Sequence, residues 1–171
     1  MWEYRGQKRP PFALETGPGQ ESVWDYPRPP ALQHDGRHVE VRFGDVILAD
    51  SRRTQRVLET ASPPTFYIPP EDVHIELLAP SAGTSFCEWK GAARYWALKI
   101  EGSSGEAVGW SYPQPAAPFA PIAGYFSFYP DRVECYVDEE RVRPQEGGFY
   151  GGWVTREIVG PFKGAPGTSS W

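Results

Sequence analysis

The sequence predicts a mainly β domain, and three observations predict it. Short segments of strict apolar/polar alternation recur along the chain, the period-2 pattern of half-buried strands. Proline and glycine, 19 and 18 of the 171 residues, punctuate the chain too often for long helices. No helical periodicity runs between those breaks; the segments are rich in Val, Ile, Tyr, Phe and Trp, the residues that suit a pleated surface. About eight short antiparallel strands joined by turn residues indicate a sandwich, a barrel or a comparable layered architecture.

Residues 1–37 read as a Pro/Gly-rich arm, with Pro10-Pro11, Gly17-Pro18-Gly19 and Pro27-Arg28-Pro29-Pro30. Trp2, Tyr4, Phe12, Trp24 and Tyr26 are spaced through it, more aromatics than a disordered tail carries. The arm is expected to lie extended across the domain, pinned by those rings. The β domain proper is expected over 38–143. Val39, Val41 and Phe43 alternate with polar neighbours, Gly44-Asp45 suits a two-residue turn with Gly first, and Val46–Ala49 returns. Residues 52–60 fit a short helix capped by Ser51 or a third strand. Thr65–Ile68 is a short strand. Val73, Ile75 and Leu77 alternate as another, and Pro80–Thr84 reads as a loop. In 92–100, Arg94, Trp96, Leu98 and Ile100 share one face, and Ala93, Tyr95, Ala97 and Lys99 the other. Val108, Trp110 and Tyr112 share a face of the next strand. After a Pro/Ala loop, Ile122–Tyr129 and Val133–Val137 read as a hairpin around Pro130-Asp131, a favourable type I turn pair. The tail, 144–171, is again Gly-rich with bulky rings.

Composition narrows the function. Hydrophobic residues make up 40% and charged residues 23%, which suits one globular domain. The formal net charge of −5 argues against nucleic acid as a partner. The local exception is Arg52, Arg53 and Arg56, read as a solvated face with Asp50 and Glu59 as partners. No run of about 18 apolar residues and no secretory signal is seen, so no membrane partner is expected and a cytoplasmic location is. Two cysteines and three histidines are too few for a structural zinc site, so neither metal nor cofactor is expected. A homo-oligomer is compatible with the sequence.

Several motifs resemble one family. Asp50-Ser51-Arg52-Arg53, Val57-Leu58-Glu59-Thr60 and Phe66-Tyr67-Ile68-Pro69-Pro70-Glu71-Asp72-Val73 come in order. They are followed by Cys87-Glu88-Trp89-Lys90-Gly91, Ala93, Tyr95, Ala107, Trp110-Ser111-Tyr112, Gly124 and Phe128-Tyr129. This series resembles the family called domain of unknown function 427, over roughly residues 38–137. The flanks, with Gly148–Thr155 and Ile158–Gly164, are similar to its longer subgroup. The resemblance implies a compact β fold similar to the β-tent group, which includes methionine sulfoxide reductase B and the ligand-binding domain of cereblon. Many β-tents hold zinc between paired Cys-x-x-Cys motifs, and this chain has no such pair. The family is sometimes labelled nucleotidyltransferase-like, but no Asp-x-Asp pair after a Gly-Ser turn and no phosphate loop opening a helix is seen here.

The candidate site residues come from these motifs. Tyr67, Trp89, Tyr95, Trp110 and Tyr112 suit a concave, aromatic-lined site for a small molecule, or else an aromatic-rich core. Cys87, Lys90 and Arg52 would supply polar contacts. Cys87 is also a candidate nucleophile, with Lys90 or Arg94 lowering its pKa and His74 as base, against the plainer reading of a small buried side chain where strand meets loop, with Lys90 exposed. Cys135, alternating with Val133 and Val137, reads as core. Three functions stay open: small-molecule binding, thiol-dependent catalysis at Cys87, and protein interaction through the Pro-rich arms.

Overall fold

A computed structural model describes residues 2–171, and 39% of the chain is strand against 9% helix. The strands run β1 (Glu21–Ser22), β2 (Ala31–Asp35), β3 (Val39–Phe43), β4 (Val46–Ser51), β5 (Thr54–Leu58) and β6 (Thr65–Tyr67). Then come β7 (Leu78–Cys87), β8 (Gly91–Leu98), β9 (Ala107–Ser111), β10 (Phe126–Phe128) and β11 (Glu134–Val137). Short pieces close the chain: β12 (Glu140–Arg141), β13 (Arg143–Pro144), β14 (Trp153–Val154) and β15 (Ile158–Val159). They form antiparallel sheets ordered β10-β9-β8-β7, β12-β11-β3-β4 and β2-β5-β6, with small pairs β13-β14 and β1-β15. The mainly β prediction holds, and the sheets do not close into a barrel. No helix among the described residues is long and apolar enough to cross a membrane.

Local pattern explains much of this. β3 buries Val39 and Val41 and turns through Gly44, whose φ of +60° favours glycine, into β4, as the Gly44-Asp45 pair predicts. The ambiguous 52–60 segment is strand β5. Four expectations are corrected. Val73, Ile75 and Leu77 do not alternate in a strand: 3-10 turns span Pro70–Asp72 and Ile75–Leu77, because Pro69-Pro70 fixes backbone torsions that a ladder cannot use. Pro80–Thr84 is not a loop but part of β7, carried by a register shift between Pro80 and Thr84. Ile122 ends a 3-10 segment, Ala117–Ile122, rather than opening a strand. The turn at Pro130-Asp131 forms, with the Arg132 amide donating to the Tyr129 carbonyl at 3.0 Å, but it joins no hairpin. β10 pairs with β9 and β11 with β3, so the turn carries the chain from one sheet to another.

The main core lies between the two four-stranded sheets. Val39, Val41, Leu48, Phe66, Leu98, Phe128 and Cys135 meet there. β8 borders two cores: Trp96 and Leu98 face the main one, while Ala93 and Tyr95 face an aromatic cluster with Val57, Tyr67, Trp110, Tyr112, Phe119 and Tyr129. A third cluster joins the arms, with Val23, Trp24, Tyr26, Ala61 and Ile158 buried and Tyr4, Phe162 and Trp171 against them. The arms pair directly, Glu21 beside Ile158 and Ser22 beside Val159, in parallel. The last residues of the N-terminal arm form β2, antiparallel to β5. Trp153, fully buried in the main core, stacks on Phe66 at 4.8 Å and donates to the Phe128 carbonyl at 2.9 Å.

Candidate functional site

The β7-β8 hairpin ends in Glu88-Trp89-Lys90, and Gly91 closes it with a φ of +104° that side-chain-bearing residues rarely adopt. The Lys90 carbonyl accepts from the Ala116 amide at 3.0 Å, which draws the 113–122 segment over the hairpin end and brings Phe119 inward. Lys90 is 8% exposed. Its ammonium stands 5.6 Å from the centre of the Tyr112 ring and 5.9 Å from that of Phe119. Among the described residues no carboxylate lies within 4 Å of it. Burial pushes the Lys90 ammonium down; the Tyr67 hydroxyl, the Cys87 thiol and the more distant Glu59 oppose burial and leave it above the ordinary lysine value. Tyr67 is buried, so its hydroxyl is held up by desolvation, and it accepts from the Trp110 indole at 3.1 Å. Burial likewise raises Tyr112, and raises Tyr129 to about 12.

Of the residues picked from sequence, Tyr67, Trp110 and Tyr112 are buried together, and Cys87, Trp89 and Tyr95 pack half-buried against them. Lys90 stands among them. Tyr95 pairs its hydroxyl with Ser85 at 2.6 Å. Arg52 is not brought in: it is exposed in the β4-β5 turn, beside Gly36. His74 does not reach Cys87. Leu77, bonded to the His74 carbonyl, adjoins the start of β7, and Cys87 ends that strand, roughly 25–30 Å away at strand rise. A Cys–His pair is therefore absent. Arg94 is exposed. The arginine partners also differ from expectation: Arg53 pairs with Asp72 at 2.9 Å, Arg56 with Glu21 at 2.6 Å, Asp50 with His38 at 2.8 Å, and Glu59 with Arg28 at 3.1 Å. Register decides this, since neighbouring strands bring distant residues together. Cys135 is fully buried, and desolvation holds its thiol well up.

Sequence reasoning does not reach three contributors. Phe119 comes from the Pro/Ala loop. Arg28 and Lys163 come from the arms, each a lone cation in a Pro/Gly stretch, and the adjoining rings Tyr26 and Phe162 are the one signal that these stretches pack. Arg28 has a fully buried side chain and bonds the carbonyls of Tyr4, Thr60 and Trp171 at 2.7–3.0 Å as well as Glu59. Trp89 lines a cavity of about 370 Å³ with Trp2, Arg5, Glu88 and Ser169, and its buried indole N–H has no acceptor among the described residues. His38, Glu40 and Asp50 lie within 4.8 Å of one another, but on a partly exposed edge, with Glu40 bonded to Arg42 and Asp50 to His38.

The fold and this cluster define a class: an all-antiparallel β core with an aromatic cluster around a buried lysine at a hairpin end. Residues 31–139 match the family described as domain of unknown function (DUF427). The chain belongs to that family. Among curated proteins, no match is found.

Proposed function

We propose that the chain is a binding domain for a small molecule, held at the aromatic cluster around Lys90. The observation that carries this reading is the Lys90 ammonium, enclosed by rings with no carboxylate within reach. An ammonium has three N–H donors, and with the Tyr67 hydroxyl and the Cys87 thiol as its polar neighbours it keeps capacity for a ligand acceptor group. The orphaned N–H of Trp89, on a ring that lines a cavity, supports the same reading, since buried donors are nearly always paired. Tyr112 and Phe119 would face the ligand's apolar part, and Lys90 and Trp89 would donate to its polar part. Tyr67 and Trp110, bonded to each other, would position the wall; Arg52 has no part in it. The two cysteines, both free, fit a reducing cytoplasmic setting.

Native against denaturing mass spectrometry of the purified chain tests this. Extra mass in the native spectrum is expected from wild type and not from Lys90→Met. Bare polypeptide mass in both, with wild type and Lys90→Met responding alike to a panel of small carboxylates and phosphates in thermal melts, would overturn the reading. The half-buried Cys87 thiol beside Lys90 keeps thiol chemistry as a second reading. It requires iodoacetamide to label Cys87 faster than a free thiol at neutral pH.

A further inference from the structure

We infer that the two arms build a second binding site, for a planar aromatic anion, and that the side chain of Trp2 occupies it in this structure. Two cations stand over one indole. The Arg28 Cζ lies 4.3 Å from the centre of the Trp2 ring, and the Lys163 Nζ lies 4.1 Å from it. Arg28 is held at its guanidinium and Lys163 at its backbone, with the Lys163 ammonium also 5.5 Å from the centre of the Tyr150 ring. Arg28 is fixed by Glu59 and three carbonyls. The Lys163 amide donates to the Ala61 carbonyl at 2.8 Å, and its carbonyl accepts from the Gln145 side chain. The indole has no such anchor: Trp2 is half-buried and its ring N–H makes no hydrogen bond to the described residues. The platform is therefore preformed and its cover is replaceable.

Charge identifies what would fit better than Trp2. Lys163 is 4% exposed and has no carboxylate within 4 Å among the described residues; Glu59 and Glu88 act on it only at longer range. Burial and the neighbouring Arg28 push its ammonium below the ordinary lysine value. Arg28 and Lys163 thus stand over one indole, and among the described residues only Arg28 bonds an acidic side chain, Glu59. A neutral indole satisfies the faces of these cations by cation–π attraction but leaves the charge of Lys163 unmatched. A flat ring bearing a carboxylate would do both. The Trp89 side chain lines the cavity next to Trp2, which leaves room for a ligand larger than the side chain it displaces. Trp2 then acts as a built-in competitor: a ligand binds only the fraction of molecules in which the arm has swung away.

The inference does not rest on the Lys90 reading. Calorimetric titration of the full chain with indole-3-carboxylate, and with neutral indole as control, tests it. Trp2→Ala is expected to bind the carboxylate about tenfold or more tightly than wild type, because the competitor is gone. Adding Lys163→Met should cost about tenfold for the carboxylate while changing indole binding little, and Lys163→Arg should retain the preference, since charge rather than shape carries it. Equal affinity in wild type and Trp2→Ala would overturn the inference. So would loss of the carboxylate preference in Lys163→Arg as well as in Lys163→Met.

Discussion

The Arg37–Arg56 cluster and the Arg28–Lys163 cluster both enclose cations, yet only the first supplies each of them with a carboxylate. Arg56 bonds Glu21 at 2.6 Å and lies 3.6 Å from Asp35; Arg37 bonds Asp35 at 2.7 Å and Glu157 at 2.5 Å. The hydrogen bonds that Arg37 donates to Asp35 and Glu157 outweigh desolvation and hold its guanidinium above its ordinary value. Burial would raise Glu21 and Asp35, but the guanidinium bonds prevail and both carboxyls stay below their ordinary values. In the second cluster, burial lowers Lys163 and nothing close restores it. The first cluster ties β1, β2 and β5 to the C-terminal arm, so its charges are complete within the chain. The second holds charge in excess, and a ligand is the natural complement of an excess.

The largest expected effect breaks the complete cluster. Arg56→Met removes the bonds to Glu21 and Gln33 while Asp35 keeps Arg37, and it should cost about 3 kcal/mol of unfolding free energy in urea titration, the upper end for losing hydrogen bonds to a charged group. Lys163→Met removes a buried charge that has no carboxylate within 4 Å among the described residues and should change stability by less than about 1 kcal/mol, or raise it. Equal losses in the two variants would erase the distinction between the clusters.

How much of this was legible depends on how local each feature is. β3, its Gly44-Asp45 turn, β8 and β9 announce themselves because alternation and turn chemistry are short-range. The family motifs likewise marked Tyr67, Cys87, Trp89, Lys90, Trp110 and Tyr112, which do converge. Strand β2 was hidden in the arm because its ladder partner, β5, lies about twenty residues on and supplies the register. The Pro130-Asp131 turn was legible, but which sheet each flanking strand joins is decided by distant pairing. Arg28 and Lys163 carry no periodic signal at all; a lone cation among prolines and glycines reads as solvated until the two arms are seen to pack on each other. Arg52, adjacent in sequence to the motif residues, is excluded from the cluster by the turn that carries it outward.

A middle-sized effect probes how the C-terminal arm covers the aromatic cluster. A methyl group at Gly151 would overlap the outer edge of the Trp110 ring. Gly151→Ala should therefore displace either the arm or the indole. A loss of about 2 kcal/mol is expected, typical of overpacking, together with a shift of tryptophan emission. Unchanged stability and emission would mean that the arm lies loosely on Trp110 and does not seal that cluster.

The smallest effect separates the two clusters by pH. Between the lowered carboxyl values of Glu21 and Asp35 and their ordinary values of 4.5 and 3.8, the unfolded chain binds protons that the native chain does not. Stability therefore rises with pH through that window, is fully present above it, and is lost as the solution is acidified through the lowered values. Lys163 works at the other end of the scale. Its native value lies below the ordinary 10.5, so the native chain releases that proton first and stability again rises with pH, now on the alkaline side, as the cost of the buried charge disappears. Denaturant titrations across pH should show Glu21→Gln flattening only the acid limb and Lys163→Met only the alkaline one. An aromatic carboxylate bound beside Lys163 should abolish the alkaline rise in the Trp2→Ala chain, because a counter-charge returns the ammonium toward its ordinary value. An alkaline limb indifferent to Lys163→Met would show that this ammonium is solvated, and the contrast between a complete and an incomplete cluster would fall with it.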